Sequence, residues 1–243
     1  MTDAETGRFR ALILQHEEPT PPGLITQWLD EHGAEIDLLR IDIDDRDVDP
    51  GAYDLIVSLG SEFAAYEDER PFVAREAGLM RRAVDADIPV LGLCFGGQML
   101  ARVLGGEVYR GSASEIGWLP VRTHDPELVP EGPWFQWHFD TFTTPPGATL
   151  IAESDAGPQA FVAGRSLGLQ FHPEVTPEIM DDWVTAYRHE LDDEGVDPDA
   201  LLVETERRAK ESRRTSWQLL ERYLDDVARL RSSAVSGDGS RER

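Results

Sequence analysis

Four short apolar runs alternate with helix-like segments in the first hundred residues of the chain. Continuous apolar runs of this length are typical of strands in a parallel sheet, whose two faces are both covered. The runs lie at residues 9–15, 36–42, 54–59 and 88–93. Helices are predicted at residues 21–32, between Pro21 and Gly33, and at residues 73–85. Repeated strand-then-helix units with short connections predict an α/β fold with a doubly wound, mostly parallel sheet.

The pattern changes between residues 107 and 171, where short strand-like pieces are separated by glycine and proline turns. These pieces lie at residues 118–122, 135–138, 149–152 and 159–163. Short strands at such spacing are typical of antiparallel pairing, because two-residue turns can join neighbours directly. The sequence therefore predicts an antiparallel layer added to the parallel sheet.

The C-terminal part of the chain is predicted to be helical. A helix is expected from Pro177 to about Leu191, residues 192–198 form a charged linker, and a second helical run extends from Ala200 to Leu230. The Ser-, Gly- and Arg-rich residues that follow are typical of disorder. We therefore divide the chain into a domain of residues 8–192, a C-terminal helical extension that packs or binds a partner at residues 193–231, and a disordered tail at residues 232–243.

Composition and charge limit the partners. The 243 residues carry a formal net charge of −24, which repels phosphate backbones and anionic lipids. Neither nucleic acid nor a membrane is therefore expected as a partner. No apolar run approaches the roughly 18 residues of a membrane span, and the single cysteine cannot form an internal disulfide, so a cytoplasmic location is expected. The sequence has no Gly-rich loop ending in Lys and Ser or Thr, and no metal or cofactor is expected.

The single cysteine, Cys94, lies between the fourth apolar run and a helix-like segment, with Gly96 and Gly97 directly behind it. This arrangement is the sequence form of a nucleophile elbow, in which a sharp strand-to-helix turn exposes one side chain above the sheet. The partial positive charge at a helix N-terminus also favours a thiolate over a thiol. Cys94 is therefore the candidate nucleophile.

A base and an orienting group are predicted at the end of a later apolar run, in His172, Pro173 and Glu174. A histidine at a strand end points into the crevice where α/β sheets bind ligands, and the proline turns the chain. Glu174 can accept a hydrogen bond from His172 and hold the tautomer that takes the thiol proton. Each residue alone would more often be structural, but their combination with an elbow favours covalent catalysis.

At these residues the chain resembles the class I glutamine amidotransferases, a family of triad glutaminase domains. The resemblance rests on Gly-Leu-Cys-Phe-Gly-Gly-Gln at residues 92–98 and Gln-Phe-His-Pro-Glu at residues 170–174, and it covers roughly residues 9–185. It implies a flavodoxin-like sheet with an added antiparallel layer. It also implies that Cys94 attacks the carboxamide of L-glutamine, giving a γ-glutamyl thioester and ammonia, while His172 protonates the leaving ammonia and later activates water.

The resemblance further implies which groups hold the substrate. The backbone N–H groups of Gly60 and Phe95 would bind the oxyanion. The family usually has consecutive glycines and a proline in the first of these loops, whereas Leu59, Ser61 and Glu62 surround the glycine here. An ordinary strand-ending turn is therefore the alternative for this loop, and structural packing is the alternative for the segment around residue 138. The implied substrate contacts are Gln98, His138, Phe139 and Asp140.

Three functions are open at this point. The first is a glutamine amidotransferase that releases ammonia for a separate synthetase or acceptor protein, since no ATP-binding or synthetase region is recognisable. The second is a γ-glutamyl hydrolase that acts on γ-glutamyl amides or peptides through the same thioester. The third is a non-catalytic regulatory binding protein. The complete Cys-His-Glu set favours an enzyme, and the Gly-Gly-Gln sequence of the elbow favours glutamine.

Overall fold

The computed structural model describes residues 9–230, and these residues form the α/β fold predicted from the sequence. Within this range, the strands are β1 (Arg10–Gln15), β2 (Glu35–Arg40), β3 (Leu55–Ser58), β4 (Val90–Leu93), β5 (Val108–Leu119), β6 (Arg122–Thr123), β7 (Trp134–Phe142), β8 (Thr149–Glu153), β9 (Pro158–Ala163) and β10 (Ser166–Leu169). The helices are α1 (Leu24–Glu31), α2 (Pro71–Asp85), α3 (Phe95–Val103), α4 (Pro177–Ala186), α5 (Arg188–Glu194) and α6 (Pro198–Arg222).

Five parallel strands form the half of the main sheet that carries the site. Their order is β2-β1-β3-β4-β10, and each neighbouring pair is parallel. This is the flavodoxin-like order, in which ligands bind beyond the carboxyl ends of the strands. Alternate residues of β1 enter core clusters on opposite faces of the sheet, with Ile13 in one and Leu14 in the other. The sheet is therefore covered on both faces, as the continuous apolar runs predict.

The antiparallel strands fall into two groups. Strands β9, β8 and β6 continue the main sheet beyond β10, while β5 and β7 form a separate two-stranded sheet. The single strand predicted at residues 118–122 is wrong, because Trp118 and Leu119 end the long strand β5 and Arg122 begins β6. Pro120 lies between the two strands, where its missing N–H cannot continue a ladder.

The first helix begins later than Pro21, where the sequence placed its start. Gly23 precedes α1 with a φ of 47°, and the Leu24 N–H donates to the backbone oxygen of Glu174 at 3.0 Å. A Cβ on Gly23 would lie 2.2 Å from that oxygen. Glycine is therefore required both for the backbone angle and for the close approach. The end of the helix agrees with the prediction, because Gly33 has a φ of 66° just after it.

The helix predicted from Pro177 to Leu191 is broken. It divides at Tyr187 into α4 and α5, and α5 continues to Glu194. The charged linker predicted at residues 192–198 is therefore reduced to residues 195–197, and α6 begins directly after it. Acidic side chains at 192–194 are compatible with a helix because they lie on its exposed side.

The C-terminal helix packs on the main sheet and on α1. Its last turns and the π-helical turn Tyr223–Val227 place apolar side chains in the core cluster on that face of the sheet, namely Leu219, Leu220, Tyr223, Leu224 and Val227. The division of the chain at residue 192 stays a prediction, and the tail predicted at residues 232–243 lies outside the described residues. Within residues 9–230, no helix is both long and apolar enough to cross a membrane.

Candidate active site

Cys94 occupies the sharp turn between β4 and α3. Its φ of 50° and ψ of −107° lie outside the regions that L residues favour, as a nucleophile elbow requires. The Cys94 N–H donates to the Leu169 carbonyl at 2.9 Å, which ties the turn to β10. Sγ of Cys94 lies 3.8 Å from the Trp137 carbonyl oxygen. The turn therefore holds the sulfur between the main sheet and β7.

Glycines allow α3 to approach the strands on both sides of the elbow. A Cβ on Gly96 would lie 2.3 Å from the carbonyl oxygen of Ser58, and one on Gly97 would lie 2.2 Å from that of Leu169. Both distances are far inside van der Waals contact, so any larger residue would push the helix away. The Gly-Gly pair thus fixes the helix N-terminus at the carboxyl ends of β3 and β10.

His172 and Glu174 follow β10 and form a buried pair. Nδ1 of His172 lies 2.7 Å from Oε1 of Glu174, and the side chains are 4% and 2% exposed. The backbone of the pair is fixed, because the His172 N–H donates to the Phe135 carbonyl at 2.9 Å. Nε2 of His172 is buried and has no hydrogen-bond partner among the described residues. One nitrogen is therefore held by a carboxylate, and the other is available for a reaction.

The surroundings of His172 favour its protonated form. Burial opposes the charge, but the Glu174 carboxylate and the Cys94 sulfur outweigh burial and raise the pKa of His172 to about 10. An imidazolium next to Cys94 stabilises the thiolate, which is the nucleophilic form of cysteine. Trp183 packs edge-on against the imidazole with ring centroids 4.8 Å apart and shields it from water.

Gly60 and Phe95 place two backbone amides near Cys94. A Cβ on Gly60 would lie 2.9 Å from Cε1 of His172 and 3.8 Å from Cβ of Cys94, so the glycine backbone borders both residues. The N–H groups of Gly60 and Phe95 have no acceptor among the described residues. Two free donors next to a nucleophile are what a tetrahedral oxyanion requires, and the oxyanion role of both amides stays a prediction.

Gln98 lies on the first turns of α3, on the same cavity as Cys94. Its Nε2 donates to the Asp140 carbonyl at 3.2 Å and to Oε1 of Gln170 at 3.3 Å. Gln170 in turn lies with Nε2 3.7 Å from Sγ of Cys94. The amide N–H groups of Gln98 therefore link α3 to β7 and β10, and a contact with substrate through this side chain stays a prediction.

His138 has both ring nitrogens engaged inside the protein. Nδ1 lies 3.0 Å from the Asp140 carbonyl oxygen, and Nε2 lies 3.0 Å from Oε2 of Glu115. The same carboxylate oxygen of Glu115 also accepts hydrogen bonds from Ser154 and Gln159. His138 therefore braces β7 against its neighbours, and the residue also lines the cavity.

Phe139 and Asp140 continue β7 along the wall of the cavity. The guanidinium of Arg110 lies over the Phe139 ring, 4.4 Å from its centroid. Oδ1 of Asp140 is buried and has no hydrogen-bond partner among the described residues. A buried carboxylate oxygen without a donor is costly, so this atom fits the cationic group of a ligand. The other side of this carboxylate faces Tyr66, whose pKa rises through burial and through the charge of Asp140 and a hydrogen bond to it. A contact of Asp140 with the charged end of a substrate stays a prediction.

A single cavity of about 220 Å³ brings these residues together. Cys94, His172 and Gly60 line it, together with all four of the predicted substrate contacts. Glu174 and Phe95 lie behind the wall, the former in contact with His172. Within residues 9–230, no group of three or more His, Cys, Asp or Glu side chains is arranged to hold a metal ion.

Several residues of the site were missed by sequence reasoning. Trp183 packs against His172, and both Trp183 and Tyr187 line the cavity. The two aromatic residues are four positions apart, a helical spacing that could have indicated them. His16 and Glu76 meet behind Gly60, with Nε2 and Oε2 2.7 Å apart. His16 follows β1, and residues that follow strands of a doubly wound sheet border the ligand crevice.

Comparisons with known proteins agree with this geometry. The sequence profile described as "Glutamine amidotransferase class-I" matches residues 23–187. A glutamine-hydrolysing GMP synthase from Thermus thermophilus is 40% identical over 109 residues, which are 41% of this chain and 22% of the synthase. The corresponding synthase from Phenylobacterium zucineum is 31% identical over 170 residues, 63% of this chain and 30% of the synthase. The chain therefore spans less than a third of the length of these curated relatives.

Solved structures match over nearly the whole chain. A glutamine amidotransferase from Thermotoga maritima is 37% identical, with a TM-score of 0.81 over 90% of this chain and 99% of that one. A glutamine amido transferase from Methylobacillus flagellatus is 26% identical, with a TM-score of 0.83 over 98% of this chain and 99% of that one. The profile match spans the segments that hold Cys94 and His172. The chain belongs to the class-I glutamine amidotransferase family.

Proposed function

We propose that the protein hydrolyses the side-chain amide of L-glutamine to glutamate and ammonia through a γ-glutamyl thioester on Cys94. The observation that carries the proposal is the position of His172, which has Glu174 2.7 Å from one ring nitrogen and Cys94 next to the ring. A cavity opens directly onto Cys94 and His172. Membership of the family and the glutamine-hydrolysing relatives support glutamine as the substrate.

Acylation starts from the Cys94 thiolate, whose proton resides on His172. Sγ attacks the amide carbon, the carbonyl electron pair moves to oxygen, and the oxyanion accepts hydrogen bonds from the N–H groups of Gly60 and Phe95. His172 then donates its Nε2 proton to the amide nitrogen, the C–N bond breaks, and ammonia leaves as the thioester forms. Throughout the reaction Glu174 accepts a hydrogen bond from the Nδ1–H group of His172, which keeps the ring in the required orientation.

Deacylation uses the same groups in the opposite sense. Nε2 of His172 takes a proton from water, and the resulting hydroxide attacks the thioester carbon. The second oxyanion collapses, the C–S bond breaks, and glutamate leaves with the thiolate and imidazolium restored. We infer that the ammonia is consumed by a synthetase or acceptor, because the curated relatives are named as glutamine-hydrolysing GMP synthases.

Ammonia and glutamate release from glutamine by the purified protein tests the proposal. Cys94→Ser should lose this release and the covalent adduct seen by mass spectrometry after rapid quenching. A glutamine-derived chloroketone should label Cys94 even if turnover awaits a partner. The non-catalytic alternative expects glutamine binding with neither adduct nor label, and that result, or equal release by Cys94→Ser, would contradict the proposal.

Hydrolysis of γ-glutamyl amides is a second candidate, and the wall beside His172 supports it. The leaving nitrogen must lie next to His172, and beyond this residue the cavity is lined by Trp183, Tyr187, Glu62 and Glu190. Two carboxylates on that side favour a cationic leaving amine over an anionic one. A higher kcat/KM for the γ-glutamyl amide of 1,4-diaminobutane than for glutamine would support this candidate. A lower value for it, with glutamine well hydrolysed, favours the first.

A further inference from the structure

A chain of buried polar side chains lies behind the Gly60 loop, on the side away from Cys94. Nδ1 of His16 lies 3.0 Å from the Gly60 carbonyl oxygen, and its Nε2 lies 2.7 Å from Oε2 of Glu76. The Ser58 hydroxyl donates to Oε1 of the same carboxylate at 2.6 Å. His16, Ser58 and Glu76 are completely buried. His16 follows β1, Ser58 ends β3 and Glu76 lies on α2, and the network reaches the Gly60 carbonyl through His16.

The proton positions follow from the partners. A carbonyl oxygen only accepts, so Nδ1 of His16 carries a proton and donates it to Gly60. Burial opposes a charge on His16, but the Glu76 carboxylate outweighs burial and raises the pKa of His16. The protonated ring donates from both nitrogens, and such charge-assisted hydrogen bonds are stronger than neutral ones. His16 also packs against the ring of Phe95, with centroids 4.6 Å apart, which fixes the imidazole in place.

Stability alone does not account for these residues. A buried ion pair is often no more stabilising than apolar side chains of similar volume, because both charges lose their hydration. The network ends on the loop that borders Cys94 and His172, and His16 itself touches neither of them. Its contact with the rest of the site passes through the Gly60 backbone.

The network holds one of the two peptide planes that meet at Gly60. The plane before Gly60 is held by the Leu59 carbonyl, which accepts from the Gly96 N–H at 3.1 Å. The plane after it is held by His16. The Gly60 N–H lies in the first plane, and His16 holds the second. Glycine otherwise rotates freely about its two backbone bonds, so holding the second plane limits the rotation of the first plane and of its N–H. Because the loop lacks the usual second glycine and proline, this restraint comes from outside the loop.

We propose that His16, held by Glu76 and Ser58, is a positioning residue that aims the Gly60 N–H at the oxyanion formed on Cys94. The proposal rests on the acylation of Cys94 described above. Removal of one oxyanion donor typically lowers kcat by about 10²- to 10³-fold, so a misdirected donor should have a smaller but measurable effect.

Two substitutions at His16 separate its two hydrogen bonds. The amide nitrogen of His16→Asn reaches the position of Nδ1 and can still donate to Gly60, whereas that of His16→Gln reaches the position of Nε2 and contacts only Glu76. His16→Gln should lower kcat by about tenfold to 10²-fold with little change in KM, and His16→Asn should stay within about threefold of the wild type. Equal losses in the two variants, or no loss in His16→Gln, would overturn the proposal.

The rate at which iodoacetamide alkylates Cys94 distinguishes a misdirected Gly60 from a general structural defect, because only the general defect would change this rate. This substitution reaction forms no oxyanion, so its rate in His16→Gln should equal that of the wild type while kcat falls. A parallel fall in both rates would contradict a role in aiming Gly60. If His16→Gln does not fold, kcat and the alkylation rate are compared in Glu76→Gln instead. This variant preserves the shape of the network and removes the carboxylate charge, so kcat should again fall while the alkylation rate stays that of the wild type.

A matched pair of serines controls for the loss of a buried hydroxyl. Ser58 belongs to the network, whereas the hydroxyl of Ser166 accepts from the Val90 N–H at 3.0 Å elsewhere in the sheet. The two variants should lose a similar amount of melting temperature. Ser58→Ala should also lower kcat several-fold, whereas Ser166→Ala should leave kcat unchanged. Equal kcat in the two variants would count against the network.

Assays with γ-glutamyl p-nitroanilide keep this test separate from the choice of substrate. A wild-type protein that cleaves the anilide and not glutamine would overturn glutamine as the substrate, and the effect of His16→Gln would still be measured on the anilide. A protein inert towards both compounds would overturn the proposed function and the role of His16 together. Activity with no difference between His16→Gln and His16→Asn would overturn the role of His16 alone.

Discussion

Two buried histidine–carboxylate pairs border Gly60 on opposite sides, and they differ in the partner of one ring nitrogen. In both pairs a ring nitrogen lies 2.7 Å from a carboxylate oxygen, and in both the side chains are almost completely buried. The second nitrogen of His16 is bound to the Gly60 carbonyl, whereas the second nitrogen of His172 has no partner among the described residues and its ring lines the cavity. Burial and pairing alone therefore do not identify a catalytic histidine. The feature that separates His172, the proposed catalytic histidine, is its nitrogen without a partner next to Cys94 among the described residues.

The largest difference between the two pairs should appear when each histidine becomes glutamine. His172→Gln removes the group that takes and returns the proton, and we expect kcat to fall by about 10⁴-fold. His16→Gln leaves that group intact, so its loss in kcat should stay at about tenfold to 10²-fold, which is about 10²- to 10³-fold smaller. Both values come from steady-state release of ammonia. A His172→Gln variant that is no slower than His16→Gln would remove the distinction between the pairs.

Glu174→Gln should have the next largest effect, a loss of about 10²-fold in kcat, because the acid–base group stays but loses its orienting charge. The thiol should remain open to iodoacetamide, which serves as the control for folding. An unchanged kcat would show that Glu174 does not orient His172.

The same variant should also change the dependence on pH. The carboxylate and the Cys94 sulfur together hold the pKa of His172 at about 10 against the effect of burial, so the imidazolium of the wild type persists up to that pH. Without the carboxylate, burial dominates and the pKa falls, so the alkaline limb of kcat/KM should move to lower pH in Glu174→Gln. The alkaline limb of kcat/KM should stay at the same pH in Glu76→Gln, because the Glu76 carboxylate hydrogen-bonds to His16 and Ser58 and not to His172 among the described residues. A shift of equal size in both variants would contradict the assignment.

Asp140→Asn tests whether the carboxylate of Asp140, which is not paired with a histidine ring among the described residues, binds the substrate. Its buried Oδ1 has no donor among the described residues, and a cationic group of the substrate would supply one. A charged hydrogen bond of about 1.5–3 kcal/mol corresponds to at least a tenfold rise in KM for glutamine, with kcat little changed. An unchanged KM would place the substrate's ammonium elsewhere in the cavity.

The parts of the site that the sequence predicts are those whose chemistry is local. Cys94 lies one residue beyond β4, and His172 and Glu174 lie three and five residues beyond β10, so each is indicated by a strand and the short segment that follows it. His16 and Glu76 are 60 residues apart, and their contact depends on how α2 packs over β1 and β3. Nothing in either segment alone indicates this pairing.

The same limit applies to the fold. Continuous apolar runs predict the parallel strands, because both faces of that sheet are buried. The length of β5 was not predicted, since its residues alternate irregularly and its pairing with β7 shifts between Arg110 and Glu115. Turn residues at Gly111 and Gly117 suggested separate pieces, but a bulged strand carries the chain through them.

His138→Gln is expected to have the smallest effect, and it tests the criterion drawn from the two pairs. His138 resembles His16 in having both nitrogens engaged, at 3.0 Å from the Asp140 carbonyl and 3.0 Å from Glu115. A glutamine amide can still reach Glu115, which Ser154 and Gln159 also hold, so β7 should keep its position. We therefore expect kcat and KM for glutamine within about threefold of the wild type and an unchanged alkaline limb. A loss as large as that of Asp140→Asn would mean that His138 contacts the substrate directly, and two engaged nitrogens would then no longer exclude such a contact.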